Sequence, residues 1–202
     1  MGKVLVDITV SLDGYVAGPN DRPELGLGEG GERLHEWAYE LESWRDPHGL
    51  EGGETNASSQ VMEEMSASGA VVVGKRMFDN ARGWGDEPPF HKPVFVITHT
   101  AREPLTKGDT TFTFVTDGIE SAIEQAKAAA GDKPVSLGGG ASTARQALKA
   151  GLVDEVQLTF APVLLGGGVR LFDGLGPDDV ELEVTRVLEG PKATHVRYRV
   201  VR

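Results

Sequence analysis

The chain has 202 residues, 39% of them hydrophobic and 25% charged, with no cysteine and a formal net charge of −11. That composition is ordinary for a globular protein and excludes a disulfide framework, a thiol nucleophile and a cysteine metal centre. The acidic balance argues against a duplex nucleic-acid binder, which needs a basic footprint to displace counterions. No stretch approaches the ~20 apolar residues of a membrane span, and MGKVLVDITV enters alternating apolar residues without the pattern of a signal peptide. The expectation is a cytoplasmic protein with neither nucleic-acid nor membrane partners.

Residues 3–10, KVLVDITV, alternate and are β-branched, which predicts a strand ending in the turn-rich SLDGYVAGPND. A glycine-rich loop follows. Its GLGEGG at 26–31 has the glycine spacing of a dinucleotide fingerprint but leaves no predicted strand, so it reads as a flexible loop. ERLHEWAYELESW at 32–44 sets Leu34, Trp37, Leu41 and Trp44 on one stripe and predicts an amphipathic helix, broken by RDPHGLEGGETN. Segments 18–31 and 45–56 are the expected mobile insertions.

A helix is predicted over 57–67, leading into GAVVVG at 69–74, a wholly apolar run suited to a central strand covered on both faces. PVFVIT at 93–98 and KPVSLGG at 133–139 repeat that character, and FTFV at 112–115 is a shorter strand. DGIESAIEQAKAAAG predicts a helix capped by Asp117 and ended by Gly131. STARQALKAG is the next helix, and VDEVQLTFAPVLLGGG a strand running into a second glycine cluster. The alternating segments 179–190 and 193–202 flank Gly190-Pro191-Lys192 and predict an antiparallel hairpin. Together these elements predict one α/β domain over 1–202 around a mixed, mostly parallel sheet.

SLGGGASTARQAL at 136–148 is the most informative stretch. An apolar strand enters it and a helix leaves it, so unpaired N–H groups and the positive end of a helix dipole meet where absent Cβ atoms let a ligand approach. A pyrophosphate cradle and a plain packing turn both fit these local features. Lys75 and Arg76 follow the strand 69–74, and Thr98, His99 and Arg102 follow 93–98, so two further strand ends carry groups compatible with phosphate.

The histidines, His35, His48, His91, His99 and His195, show no metal-ligand spacing, and no metal site is assigned. The serines Ser11, Ser58, Ser59 and Ser142 lack the G-x-S-x-G elbow. Among many carboxylates, Asp13 in the SLDG turn, and Glu32 and Glu36 beside His35, are the sharpest candidates for proton transfer.

In order, SLDGYVAG, VVVGKRMFD, VFVITHT, SLGGGASTARQAL and GLVDEVQLTFAPVLLGGGVRLF resemble the dihydrofolate reductase-like superfamily. Within it they are most similar to single-domain proteins akin to the C-terminal reductase domain of the riboflavin-biosynthesis deaminase-reductase, RibD. The resemblance implies a three-layer α/β/α fold with a mostly parallel mixed sheet and an antiparallel C-terminal hairpin. It also implies a homodimer that uses NADPH to reduce a small, flat heterocyclic or carbonyl substrate, of the pterin or riboflavin-pathway aminopyrimidine kind.

Carried over by position, Gly138, Gly139, Gly140, Ala141, Ser142 and Thr143 would hold the pyrophosphate. Gly74, Lys75, Arg76 and Met77, with Thr98 and His99, would surround the adenosine ribose and its 2′-phosphate. Val16, Ala17 and Gly18 would border the nicotinamide, and Leu165, Gly166, Gly167 and Gly168 the substrate. Asp13, His35 and Glu36 are the expected catalytic residues. Met77 stands where family members commonly carry threonine, and GERLHEWAYE has no counterpart to the acid that holds a pterin, which argues against folate reduction. A non-catalytic NADP-binding protein and a structural dimeric module are the alternatives.

Overall fold

The computed structural model describes residues 2–176 and 180–201. Nine strands form one sheet in the order β10-β11-β8-β1-β7-β3-β4-β6-β5. Its centre is β1 (Val4–Ser11), β3 (Ala70–Gly74), β4 (Val94–Ile97), β6 (Thr110–Val115), β7 (Val135–Gly139) and β8 (Glu155–Ala161), all parallel to their neighbours in this group. The antiparallel strands lie at the edges: β5 (Leu105–Lys107) on one side, β10 (Glu181–Glu189) and β11 (Thr194–Val201) on the other. The hairpin thus matches the expected one, although positions 179 and 202 fall outside the described residues.

The valine run explains why the centre is covered twice. Successive side chains of a strand point to opposite faces. Val72 accordingly packs with Val4, Val6, Val135 and Leu137 under α4 (Gly118–Ala130) and α5 (Ala141–Lys149). Val71 and Val73 pack on the other face with Val94, Val96, Phe112 and Phe114 around Phe78 of α3 (Lys75–Asn80). That aromatic cluster is built from edge-to-face pairs, Phe78 lying 5.2 Å from Phe112 and 5.3 Å from Phe114. The helix α2 (Ala57–Ser66) starts with a full capping box, in which Asn56 Oδ1 accepts from Ser58 N and Ser59 Oγ accepts from Asn56 N.

The connections place the candidate site. The chain leaving β7 runs through α5 to β8, on the far side of β1, whereas the chain leaving β3 runs through α3 to β4 in the opposite direction. Between β3 and β7 the connections diverge, and in open α/β sheets the crevice outside the carboxyl ends at such a point receives ligands.

Three local expectations change. Residues 32–44 do not form one helix: a 3-10 turn at Gly31–His35 is followed by turns and then by α1 (Glu42–Arg45). Nothing caps the start, since Gly30 is left-handed without a side-chain bond, and Leu41 at ψ 134° is drawn extended to bridge Glu54. The apolar stripe still faces inward, with Leu34, Trp37 and Leu41 buried. Asp117 occupies the cap position of α4 without a capping hydrogen bond, while Gly131 ends that helix at φ 63°. The loop carrying GLGEGG folds back on the end of β2 (Tyr15–Ala17), with Gly18 N donating to Leu27 O at 2.8 Å and Glu29 N to Pro19 O at 2.9 Å. It is a compact hydrogen-bonded turn, and the glycines serve that packing: a Cβ on Gly28 would stand 2.5 Å from the carbonyl oxygens of Gly18 and Pro19.

Candidate active site at the carboxyl edge of the sheet

The triple glycine joins β7 to α5, with Gly140 at the N-cap in a backbone conformation (φ 88°, ψ 105°) that other residues rarely adopt. A Cβ there would meet Thr143 Oγ1 at 3.3 Å and Gly74 N at 3.5 Å, and a Cβ on Gly74 would meet the same hydroxyl at 2.9 Å. The ends of β7 and β3 therefore abut through Thr143. No side chain caps α5, so the free N–H groups of its first turn and the positive end of its dipole open beside that junction. This backbone can receive a phosphate group.

At the end of β3, Lys75 Nζ lies 2.5 Å from Asp79 Oδ2, one helical turn on. Arg76 reaches back across the sequence to Asp21, with Nε 2.8 Å from Oδ2 and Nη2 2.5 Å from Oδ1. Met77 lies over Gly139, its sulfur 2.1 Å from where a Cβ on that glycine would be. The methionine thioether thus fills the space that a side chain at 139 would take. The register Gly74↔Ile97 sets Thr98 and His99 beside this strand end. Thr98 Oγ1 accepts from Thr100 N at 3.1 Å, so its hydroxyl closes a local turn, while His99 is exposed.

A second group of predicted residues is brought together by a small sheet the sequence did not disclose. β2 pairs antiparallel with β9 (Val169–Arg170), Ala17 opposite Val169, and this brings Ala17 and Gly18 against Gly168 and Pro19 beside Gly167. The approach is close enough that a Cβ on Gly168 would stand 2.1 Å from Ala17 O. Asp13 locks the arrangement. Its carboxylate accepts from Ser11 Oγ at 2.6 Å, Leu165 N at 3.1 Å and Gly166 N at 2.7 Å. The Ser11 hydroxyl and these amides stabilise the ionised form and hold its pKa down at about 2. These bonds tie the SLDG turn to the Leu165–Gly166 backbone.

The turn 31–35 packs against the ends of β1, β2 and β8, with Leu34 buried against Ala161, Val163 and Leu165. His35 is half-buried, and loss of hydration depresses its pKa against the opposing pull of Glu32, so the ring favours its neutral form. Glu36 is exposed, and no hydrogen bond joins Asp13 to His35 or Glu36 among the described residues. The sequence reading passed over Tyr39, whose hydroxyl donates to Glu32 Oε2 at 3.3 Å and whose pKa burial pushes up to about 12. It also passed over Arg170, which stacks on Tyr15 at 4.5 Å and donates to Asp13 O. Arg170 belongs to the wall around the glycine cluster, Tyr39 lies beside Glu32 and Trp44, and neither has a local sequence signal. Among the described residues no group of three or more histidines, aspartates or glutamates is disposed to hold a metal ion, and no helix is long and apolar enough to cross a membrane.

Glycine-lined strand ends at a topological switch, over a mostly parallel sheet with an antiparallel hairpin, leave the family to be settled by comparison. Residues 2–196 match the family described as the RibD C-terminal domain. The chain belongs to that family. Solved structures share the fold of this RibD C-terminal domain. A putative riboflavin biosynthesis protein from Shewanella sp. PV-4 is 24% identical, with a TM-score of 0.70 over 100% of both chains. A diaminohydroxyphosphoribosylaminopyrimidine deaminase/5-amino-6-(5-phosphoribosylamino)uracil reductase from Thermotoga maritima is 15% identical, with a TM-score of 0.62 over 99% of this chain and 57% of that one. Dihydrofolate reductase from Enterococcus faecalis, complexed with NADP(H), is 11% identical, with a TM-score of 0.56 over 98% of this chain and 96% of that one. The dihydrofolate reductase-like architecture expected from the sequence is the observed one.

Proposed function

We propose that this protein is a NADPH-dependent reductase acting on a small, flat heterocyclic or carbonyl substrate, of the pterin or riboflavin-pathway aminopyrimidine kind. The observation that carries the reading is the junction of Gly74, Gly140 and Thr143, where two strand ends abut at the uncapped start of α5. A dinucleotide pyrophosphate needs such a backbone surface, with Gly138 to Thr143 providing it. Gly74 to Met77, with Thr98 and His99, face the adenosine end, while Val16 to Gly18 and Leu165 to Gly168 form the nicotinamide and substrate end. The bound nicotinamide would supply the hydride.

The chain's own residues position and enclose the reactants. Asp13 fixes the Leu165–Gly168 turn against β2, so the substrate wall keeps its shape. His35 is the imidazole near that wall; burial favours its neutral ring, which can accept a proton, with Glu32 beside it to favour the charged form as the proton arrives. Glu36, exposed one residue on, can relay protons with solvent.

Two measurements test the reading. Calorimetry should detect NADPH binding, and heat-free titration with both NADPH and NADH would sink it. NADPH oxidation should appear with at least one class among pterins, aminopyrimidines, quinones and small carbonyls. Binding without turnover on any class would favour the second reading, a non-catalytic NADP-binding protein, which the use of Asp13 as a tether also supports.

A further inference from the structure

The reading of Gly74 to Met77 as the adenosine end, on which this inference rests, meets an obstacle in the same residues. The cations expected to attract a 2′-phosphate are already paired. Lys75 sits on Asp79 at 2.5 Å. Arg76 sits on Asp21 in a two-pronged contact, supplemented by Nη2 donating to Asp21 O at 3.1 Å. Two cations facing two carboxylates leave the cluster without net charge, so it offers no net field to favour the extra phosphate of NADPH over the ribose hydroxyl of NADH.

Asp21 is the deeper partner. Its side chain is only 10% exposed against 68% for Arg76, and Asn80 Nδ2 donates to its Oδ2 at 3.0 Å. The loop around it is strapped to the α3 side by Arg82, whose Nε donates to Pro23 O at 2.8 Å. The carboxylate occupies the Nε–Nη2 edge of the guanidinium, one of the two edges with which arginine binds phosphate oxygens. A phosphate must displace it or accept a carboxylate as a near neighbour. A ribose hydroxyl faces neither cost and can donate to a carboxylate.

We propose that Asp21 is a specificity-determining residue, an internal carboxylate that holds Arg76 in place of the 2′-phosphate and narrows the preference for NADPH over NADH. Replacing its charge releases the guanidinium without removing it.

The test is calorimetric titration of the full chain with NADPH and with NADH, for the native protein, Asp21→Asn, and a loop control, Asn80→Ala combined with Arg82→Ala. Asp21→Asn should tighten NADPH at least 10-fold and change NADH less than 2-fold. The loop control keeps the carboxylate, so it should leave the NADPH-to-NADH ratio within 2-fold of native even where both affinities fall. Circular dichroism and the thermal midpoint confirm that each variant is folded. An unchanged ratio in Asp21→Asn, or a selective weakening of NADPH, overturns the role of Asp21 while leaving the dinucleotide site standing. Failure of native protein and folded variants to bind either dinucleotide overturns both the site and this inference.

Discussion

Two regions of the sheet bury polar chemistry in opposite ways. At the carboxyl edge the site is made of backbone: Gly74 and Gly140 abut at the uncapped first turn of α5, beside charges that are individually paired. Beneath α2, on the face of β1, β8 and β11 turned away from α4 and α5, side chains do the work in a closed network. Glu64 accepts from Arg186 at 2.6 and 2.7 Å and from Arg197 at 2.6 Å, and Gln157 Oε1 accepts from Arg197 at 3.0 Å. His195 lies between Ser58 Oγ and Thr159 Oγ1, 2.8 Å from each, and packs edge-on against Trp37. The second region holds large pKa displacements, and apart from the buried carboxyl of Asp7 its groups satisfy one another. Perturbed titration there records burial and pairing, which structural ion networks produce as readily as active sites do.

The largest expected effect lies in that network. Glu64→Ala removes the one carboxylate shared by Arg186 and Arg197, whose side chains are 25% and 18% exposed. Stranding a charge from a fully buried pair costs about 3–5 kcal/mol, and partial solvent access here reduces the expected loss to roughly 2–3 kcal/mol. Denaturant unfolding measures it. A loss below about 0.5 kcal/mol would mean that the network contributes no more than a surface pair. Dinucleotide binding by the folded fraction should be unchanged, which separates the two regions.

Asp7 gives a pH signature. It is buried against Gln157 in the strand register, and among the described residues no group donates to its Oδ2. Burial, only partly offset by Arg197, raises its pKa from 3.8 to about 7. The folded state therefore holds this proton more tightly than the unfolded state. The associated stability is fully present below about pH 4 and is lost as the pH rises to about 7. His195, pushed down to about 4 by burial, has the opposite slope: the unfolded chain takes up its proton first as the pH falls through 6.5. Asp7→Asn cancels the Asp7 contribution alone. The variant minus native stability should grow with pH between about 4 and 7 and level off above, by about 4 kcal/mol. A difference independent of pH would place the carboxyl in a hydrated setting.

Met77 offers a smaller effect on the site itself. Met77→Thr uncovers Gly139 and supplies a hydroxyl at the edge of the cradle. One added hydrogen bond of about 0.5–1.5 kcal/mol should tighten NADPH by about 2- to 12-fold. Weaker binding in the variant would show that the thioether supports the glycine backbone instead of obstructing it.

The sequence disclosed these regions unequally, for physical reasons. GAVVVG and KPVSLGG were legible as covered strands because a run apolar on both alternations has few other uses, and SLGGGASTARQAL because strand, glycine and helix follow one another directly. The stripe Leu34, Trp37, Leu41 pointed to burial correctly and to helix wrongly, since the uncapped start and the bridge at Leu41 depend on partners elsewhere. Asp21 could not be found by spacing, because Arg76 is 55 residues away. The strands β2 and β9 have three and two residues, too few to show a period.

Asp13 carries the smallest expected change and the sharpest contrast. It was legible as a singular acid in a tight turn, but its partners at Leu165 and Gly166 lie 152 and 153 residues on. The Ser11 hydroxyl and those amides stabilise its ionised form, and its pKa near 2 means it carries no proton to give above pH 4. Asp13→Asn keeps the shape and one acceptor while removing the charge. If Asp13 only tethers the glycine turn, the variant should raise KM for the reduced substrate and leave the pH dependence of kcat unmoved. Loss of one limb of that profile would return Asp13 to the proton path, and the profile would then report the same carboxylate that holds the wall.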